Sequence, residues 1–191
     1  MPLILYIWLE APDMNVEPFI NLRKSICFSI LFLISIYCSG QETIDYKVHA
    51  NIIYRFTKYI EWPETDENNN FVIGVLGDSP LNDELKDLTG NKQVGNRKIV
   101  VRKFNTVGSF AGCSILFISE EESTELKRIT EMTRDKPVLL ITENTGLAKK
   151  GSCINIVIVN ERLKLEINKN NIISRNMNIA SELLKLATIV D

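Results

Sequence analysis

The chain has 191 residues and a formal charge of −2, a length that suits one domain with a real core. That near-neutral balance excludes the basic footprint of a nucleic-acid binder, and a single histidine, His49, argues against zinc chemistry. At the N-terminus, Arg23-Lys24 precedes the uncharged apolar run 25-SICFSILFLISIYC-38, with Ser39, Gly40 and a polar Gln41-Glu42 beyond it. The run is shorter than the roughly twenty residues of a membrane span and fits the apolar region of a secretory signal. Residues 1–40 are therefore expected to be a cleaved signal, with Met14 a candidate true start, and residues 41–191 a single exported domain. An uncleaved anchor and a lipoprotein acylated at Cys38 are the alternatives, and bulky Tyr37 counts against the second. Cleavage leaves only Cys113 and Cys153, in a compartment that permits a bridge.

Along the mature chain, Asp45 to Ile60 carries apolar residues at Val48, Ile52, Ile53, Phe56, Tyr59 and Ile60, the spacing of a helix with one apolar stripe. Pro63 is expected to stop that helix. An acidic polar loop, 64-ETDENNN-70, leads to the buried strand 71-FVIGVLG-77. Leu81, Leu85 and Leu88 predict a short helix before Gly90, and 98-KIVVRKF-104 and 115-ILFIS-119 predict strands. Glu120 to Thr133 has helical spacing, with acids in its first turn. Strands follow at 138-VLLIT-142 and 154-INIVIVN-160. A tight turn at Asn160-Glu161 then leads into the alternating strand 163-LKLEIN-168. A last helix is expected from about Arg175 to Ile189. The alternation predicts a three-layer α/β/α sandwich. Its sheet is mostly parallel, of five to six strands, with an antiparallel hairpin at one edge.

Catalytic signals are scarce. Gly74-Val75-Leu76-Gly77 lacks the dinucleotide-binding spacing and is read as a strand ending in glycine. His49 has no partner marking a relay and is expected at the surface or boundary. Glu120-Glu121-Glu122 is read as a helix start, and no nucleophile elbow is present. No cofactor is expected and no enzymatic activity.

The run 50-ANIIYRFTKYIEWP-63 resembles the opening signature of the YfiR family. The resemblance continues in order through 72-VIGVLGDSPL-81, 112-GCSILFIS-119, 137-PVLLIT-142, 151-GSCINIVI-158, 165-LEIN-168 and 183-LLKLA-187. It implies an exported periplasmic protein without catalysis. In such proteins the function is to hold a membrane-bound diguanylate cyclase inactive through its periplasmic sensor region, and release raises cyclic di-GMP and promotes biofilm. A cyclase or a sensor kinase is thus the expected membrane partner, with a homodimer and a small-molecule ligand as further candidates. The second functional reading is a periplasmic small-molecule binder with its pocket at the carboxyl ends of the strands.

The resemblance implies that many family members carry a cysteine in the strand matching 71–77, bridged to the one matching Cys113. Here that position is Gly74, which removes the bridge and leaves Cys113–Cys153 as the candidate pair if the two lie close. On the first helix, Phe56 and Tyr59 are expected in the core. Tyr54, Arg55 and Trp62 either form a ligand rim or, for Trp62 with Pro63, simply cap the helix. In the hairpin strand, Leu163, Leu165 and Ile167 should face the core. Glu166 and Asn168, with Ile172 and Ile173 in the following loop, are the partner-binding candidates that the resemblance implies.

Overall fold

The apolar β-rich runs at the centre of the sequence become the centre of a sheet. The computed structural model describes residues 44–63, 70–108, 110 and 112–191; the expected signal segment lies outside them. Strands β2 (Phe71–Leu76), β5 (Cys113–Ile118) and β6 (Leu139–Thr142) are buried along their whole length. Continuous apolar runs are what strands covered on both faces require. Around them lie β3 (Gln93–Val94), β4 (Arg97–Phe104), β7 (Ile154–Val159), β8 (Arg162–Ile167) and β10 (Thr188–Ile189). The eight strands run in the order β10-β8-β7-β6-β5-β2-β4-β3.

Strands β4, β2, β5, β6 and β7 are mutually parallel. β8 turns back antiparallel on β7, through Asn160 and Glu161 at φ 52° and 59°, the paired positive φ of a type I′ hairpin turn. The expected three-layer sandwich is present, with more strands than the five to six predicted. The hairpin is not the margin, because β10 adds parallel to β8 outside it, and a second antiparallel pair, β3–β4, closes the opposite margin.

Helix α1 (Tyr46–Phe56) starts where Asp45 accepts hydrogen bonds from the backbone N–H groups of Lys47 and Val48 at 3.0 and 3.2 Å, an ordinary N-cap. It buries His49, Ala50, Ile53 and Phe56 and lies against α2 (Leu81–Thr89). Val48, expected in the stripe, is exposed, and His49, expected at the surface or boundary, is buried. The helix also ends earlier than expected. Thr57 Oγ1 donates to the Tyr54 carbonyl at 2.6 Å, and the N–H groups of residues 57–59 bond three residues back, tightening the last turn. Ile60–Glu61 then forms β1, paired antiparallel with β9 (Asn178–Ile179). Pro63 stands beyond that strand and is not the helix stop.

The segment from Glu120 is also later to become helical. Glu120 to Glu122 lie in a turn, a 3-10 turn covers Ser123–Glu125, and α3 spans Leu126–Met132. The long C-terminal helix is absent. Residues 169–174, expected as a loop, hold α4 (Lys169–Ile173), capped by the Asn168 side chain on the Asn171 N–H at 3.0 Å. Asn176 then takes φ 58°, which breaks any continuous helix. Only α5 (Ser181–Leu184) is helical beyond it. The Ala180 N–H bonds the Tyr59 carbonyl instead of continuing a helix. β-Branched Thr188 and Ile189 pair with Glu166 and Ile167 as β10, a conformation their stiff side chains favour.

Candidate functional site

A polar row crosses the sheet toward its β10 margin. Thr142 at the end of β6 pairs with Asn155 in β7, Asn155 with Glu166 in β8, and Glu166 with Thr188 in β10. The side chains are bonded in the same order. Thr142 Oγ1 donates to Asn155 Oδ1 at 3.0 Å, and Asn155 Nδ2 donates to Glu166 Oε2 at 2.9 Å and to the Asn144 carbonyl at 2.6 Å. Thr142 and Asn155 are fully buried, whereas Glu166 is half-buried. A carboxylate is thus held from inside at the end of the row, where a charge-assisted bond fixes its orientation. Asn155 was not singled out in the sequence. Its signal was an amide inside the otherwise apolar run 154-INIVIV-159, and a buried amide must find partners.

The partner-binding candidates divide. Leu163 and Leu165 pack partly and Ile167 fully against the core, as the alternation predicts. Glu166 and Ile173 keep exposed surface, with Ile173 at 50%. Asn168 and Ile172 do not. Asn168 is buried because it caps α4 and donates to the Ala148 carbonyl at 3.2 Å. Ile172 is fully buried because those residues form a helix that turns one side to the core. Two further apolar side chains are exposed, Leu186 at 73% just before β10 and Ile189 in β10 at 46%. They fell inside the helix wrongly expected there.

The three aromatic-rim candidates separate as well. Tyr54 and Arg55 line a groove of about 400 Å³ with Asn51, Lys58, Tyr59 and Lys92. The Lys92 ammonium sits 4.2 Å from the Tyr54 ring centroid, a cation–π distance. Tyr59, expected in the core, is only half-buried there. Trp62 belongs elsewhere. Its indole N–H donates to the Ser114 carbonyl at 3.0 Å and its ring meets Phe71 edge-on at 4.9 Å. It packs at the start of the sheet, beyond β1 and so not as a cap of α1, and there it lines a different pocket of about 400 Å³. That pocket opens at the amino ends of β2, β5 and β6, opposite to the carboxyl ends where a small-molecule site was expected.

The cysteine pair is excluded. Both thiols are free and buried. β6 separates β5 from β7, so the two sit two strand spacings apart, roughly 10 Å. The Cys153 N–H bonds the Leu140 carbonyl, level with Leu116, three residues beyond Cys113, which adds roughly another 10 Å along the strand. A bridge needs Cα atoms within about 7 Å. Burial pushes both thiols up to about 11, so each is protonated at neutral pH. Gly74 does lie beside Cys113: a Cβ placed on it would stand 3.0 Å from Cys113 Sγ.

At the carboxyl ends of the strands, burial raises the Glu143 carboxyl above its ordinary value, although the Glu120 N–H donates to it at 3.0 Å. Burial also raises the nearby Tyr46 phenol, with the Glu143 charge adding to it. His49 is lowered by burial, against the Asp45 carbonyl 3.0 Å from Nδ1. Among the described residues no three metal-ligating side chains gather, and no helix is long and apolar enough to cross a membrane. A sequence model described as YfiR/HmsC-like matches residues 46–188. A search of curated proteins returns no match.

Proposed function

The chain belongs to the YfiR/HmsC-like family, and from that premise we propose that it is an exported, non-enzymatic regulator. It grips the periplasmic sensor region of a membrane diguanylate cyclase and holds it inactive. The observation that carries this reading to particular residues is the β10 margin, where an oriented Glu166 carboxylate lies on the strand beside exposed Ile189. Apolar side chains around a fixed charge supply both the burial and the orientation that a specific grip needs. β10 is also an edge strand of two residues, with backbone groups free to pair with an added segment.

Export through a cleaved signal ending near Gly40 belongs to the same proposal. N-terminal sequencing of the protein from its host should begin near Gln41, and an intact Arg23-Lys24 would contradict export by cleavage. The grip is tested by crosslinking in intact cells followed by purification of the wild-type chain and of Glu166→Gln and Ile173→Asp variants. The wild-type chain should bring down a membrane cyclase, and both variants should bring down several-fold less while melting as the wild type does. Equal recovery from all three would refute the assignment of the margin. A sensor kinase in place of the cyclase would refute the cyclase but leave the margin standing.

A further inference from the structure

Among the described residues, the pocket at the amino ends of β2, β5 and β6 is lined by charges of one sign. Its charged residues among those described are Arg97 and Arg102 of β4 and Lys136, just before β6. The side chains of Arg102 and Lys136 make no hydrogen bond or ion pair among the described residues, the ion pairs of the fold lying elsewhere. Arg97 is set in place, its guanidinium carbon 5.0 Å from the Phe71 ring centroid. The facing wall is aromatic. Trp62 has its N–H committed to Ser114, so it offers only its ring, and buried Phe110 is fixed edge-on against Phe104 at 5.6 Å. The Cys113 thiol adds no negative charge, because burial keeps it protonated.

We propose that this pocket binds a small organic anion, an apolar or aromatic body carrying one carboxylate or phosphate. Arg102 and Lys136 on one concave surface repel one another, whereas a shared anionic oxygen group satisfies both. Arginine suits such a group because its planar fork matches carboxylate and phosphate oxygens. The volume of about 400 Å³ lies at the small end of ordinary ligand sites, roughly 300–1,000 Å³. The ring of Trp62 and the side of Phe110 then cover the body. A cationic ligand is rejected by the same charges. The inference stands independently of the partner proposal, because the pocket shares no residue with the β10 margin.

The test is titration of the purified protein with phenyl phosphate, benzoate, inorganic phosphate and benzylammonium, followed by NMR. Phenyl phosphate and benzoate should move the Trp62 indole N–H and the backbone signals of Val72, Gly112 and Ser114. Inorganic phosphate should bind at least fivefold more weakly than phenyl phosphate, and benzylammonium should move none of these signals. The double variant Arg102→Gln/Lys136→Gln should lose at least tenfold in phenyl phosphate affinity. Lys58→Gln/Lys92→Gln, in the other basic groove, should bind like the wild type. The two substituted pairs lie on the surface, so an unchanged spectrum away from the pocket verifies their folding. Shifts at Tyr54 and Lys92 instead, equal binding of benzylammonium, or an unaffected Arg102/Lys136 variant would overturn the proposal. Inorganic phosphate binding as tightly as phenyl phosphate would overturn the organic body.

Discussion

Replacing Asn155 with alanine should be among the most damaging single polar substitutions in this fold. Its side chain is fully buried and makes three hydrogen bonds, at 2.6, 2.9 and 3.0 Å, to Asn144 just after β6, to Glu166 in β8 and to Thr142 at the end of β6. Two are neutral bonds, worth about 1 kcal/mol each, and the one to Glu166 is charge-assisted, worth about 1.5–3 kcal/mol when dry. Glu166 is half-exposed, so solvent screening puts its bond at the lower end. The carbonyl of half-buried Asn144 loses that amide partner, keeping only the Leu147 N–H at 3.4 Å, and a small cavity opens. The sum is about 3–4 kcal/mol of lost stability. In urea unfolding, with a slope of about 2 kcal/mol per molar, the midpoint should fall by roughly 1.5–2 M. Asn155→Asp should be nearly as damaging at pH 7, since it loses both donors and faces a like charge at Glu166. Part of that loss should return as the pH falls through the carboxylate range. A drop below about 1 kcal/mol for Asn155→Ala would show that the row does not hold β8 to its neighbours.

Glu166→Lys should cost more than an ordinary surface change, about 1–2 kcal/mol, because it removes the acceptor of a buried amide; thermal melts check this, and a loss under about 0.5 kcal/mol would contradict the hydrogen bond. Gly74→Cys should form a bridge to Cys113 on oxidation, after the Phe104 ring, 2.8 Å from the new Cβ, moves aside; the mass after thiol alkylation reports it, and two alkylated sites at 74 and 113 would count against the placement. Glu143→Gln should raise the melting temperature at neutral pH. The folded carboxyl is raised by burial, so the unfolded state loses its proton first and wild-type stability declines as pH rises from about 4.5 to that raised value. The variant's advantage should therefore vanish below that window, and a constant difference across pH would refute it. His49 has the opposite sign: lowered by burial, it should reduce stability as pH falls below about 6.5, a slope that a His49→Gln variant should lack.

Elements whose burial is uniform were legible in the sequence. β2, β5 and β6 are apolar throughout because both faces are covered, and the β8 alternation gave its core face because the strand lies near the margin. Segments governed by single backbone decisions were not. The apolar spacing of Ile179, Leu183, Leu184 and Leu186 fits a helix, yet left-handed Asn176 and the pairing of Thr188 and Ile189 with β8 divide it into short pieces. The same holds at Thr57, whose bond to Tyr54 ends α1 before Pro63 has any effect. The site was half legible. Glu166 was singled out by the family resemblance, with the alternation of its strand placing it off the core face, whereas Asn155 acts through contacts across β6, β7 and β8 that no local pattern contains. The basic pocket brings Arg97 and Arg102 of β4 together with Lys136 from the stretch before β6, so only the sheet order reveals it.

We propose that this chain restrains a cyclase through the β10 margin together with the exposed Ile173 of α4, the helix that follows β8, and cellular cyclic di-GMP measures that most directly. The host strain is deleted for this chain and complemented with wild-type, Ile173→Asp or Lys164→Gln protein at equal periplasmic levels. Deletion should raise cyclic di-GMP, wild type and Lys164→Gln should return it to the parental level, and Ile173→Asp should leave it raised. Unchanged cyclic di-GMP on deletion, or full restoration by Ile173→Asp, would contradict the account.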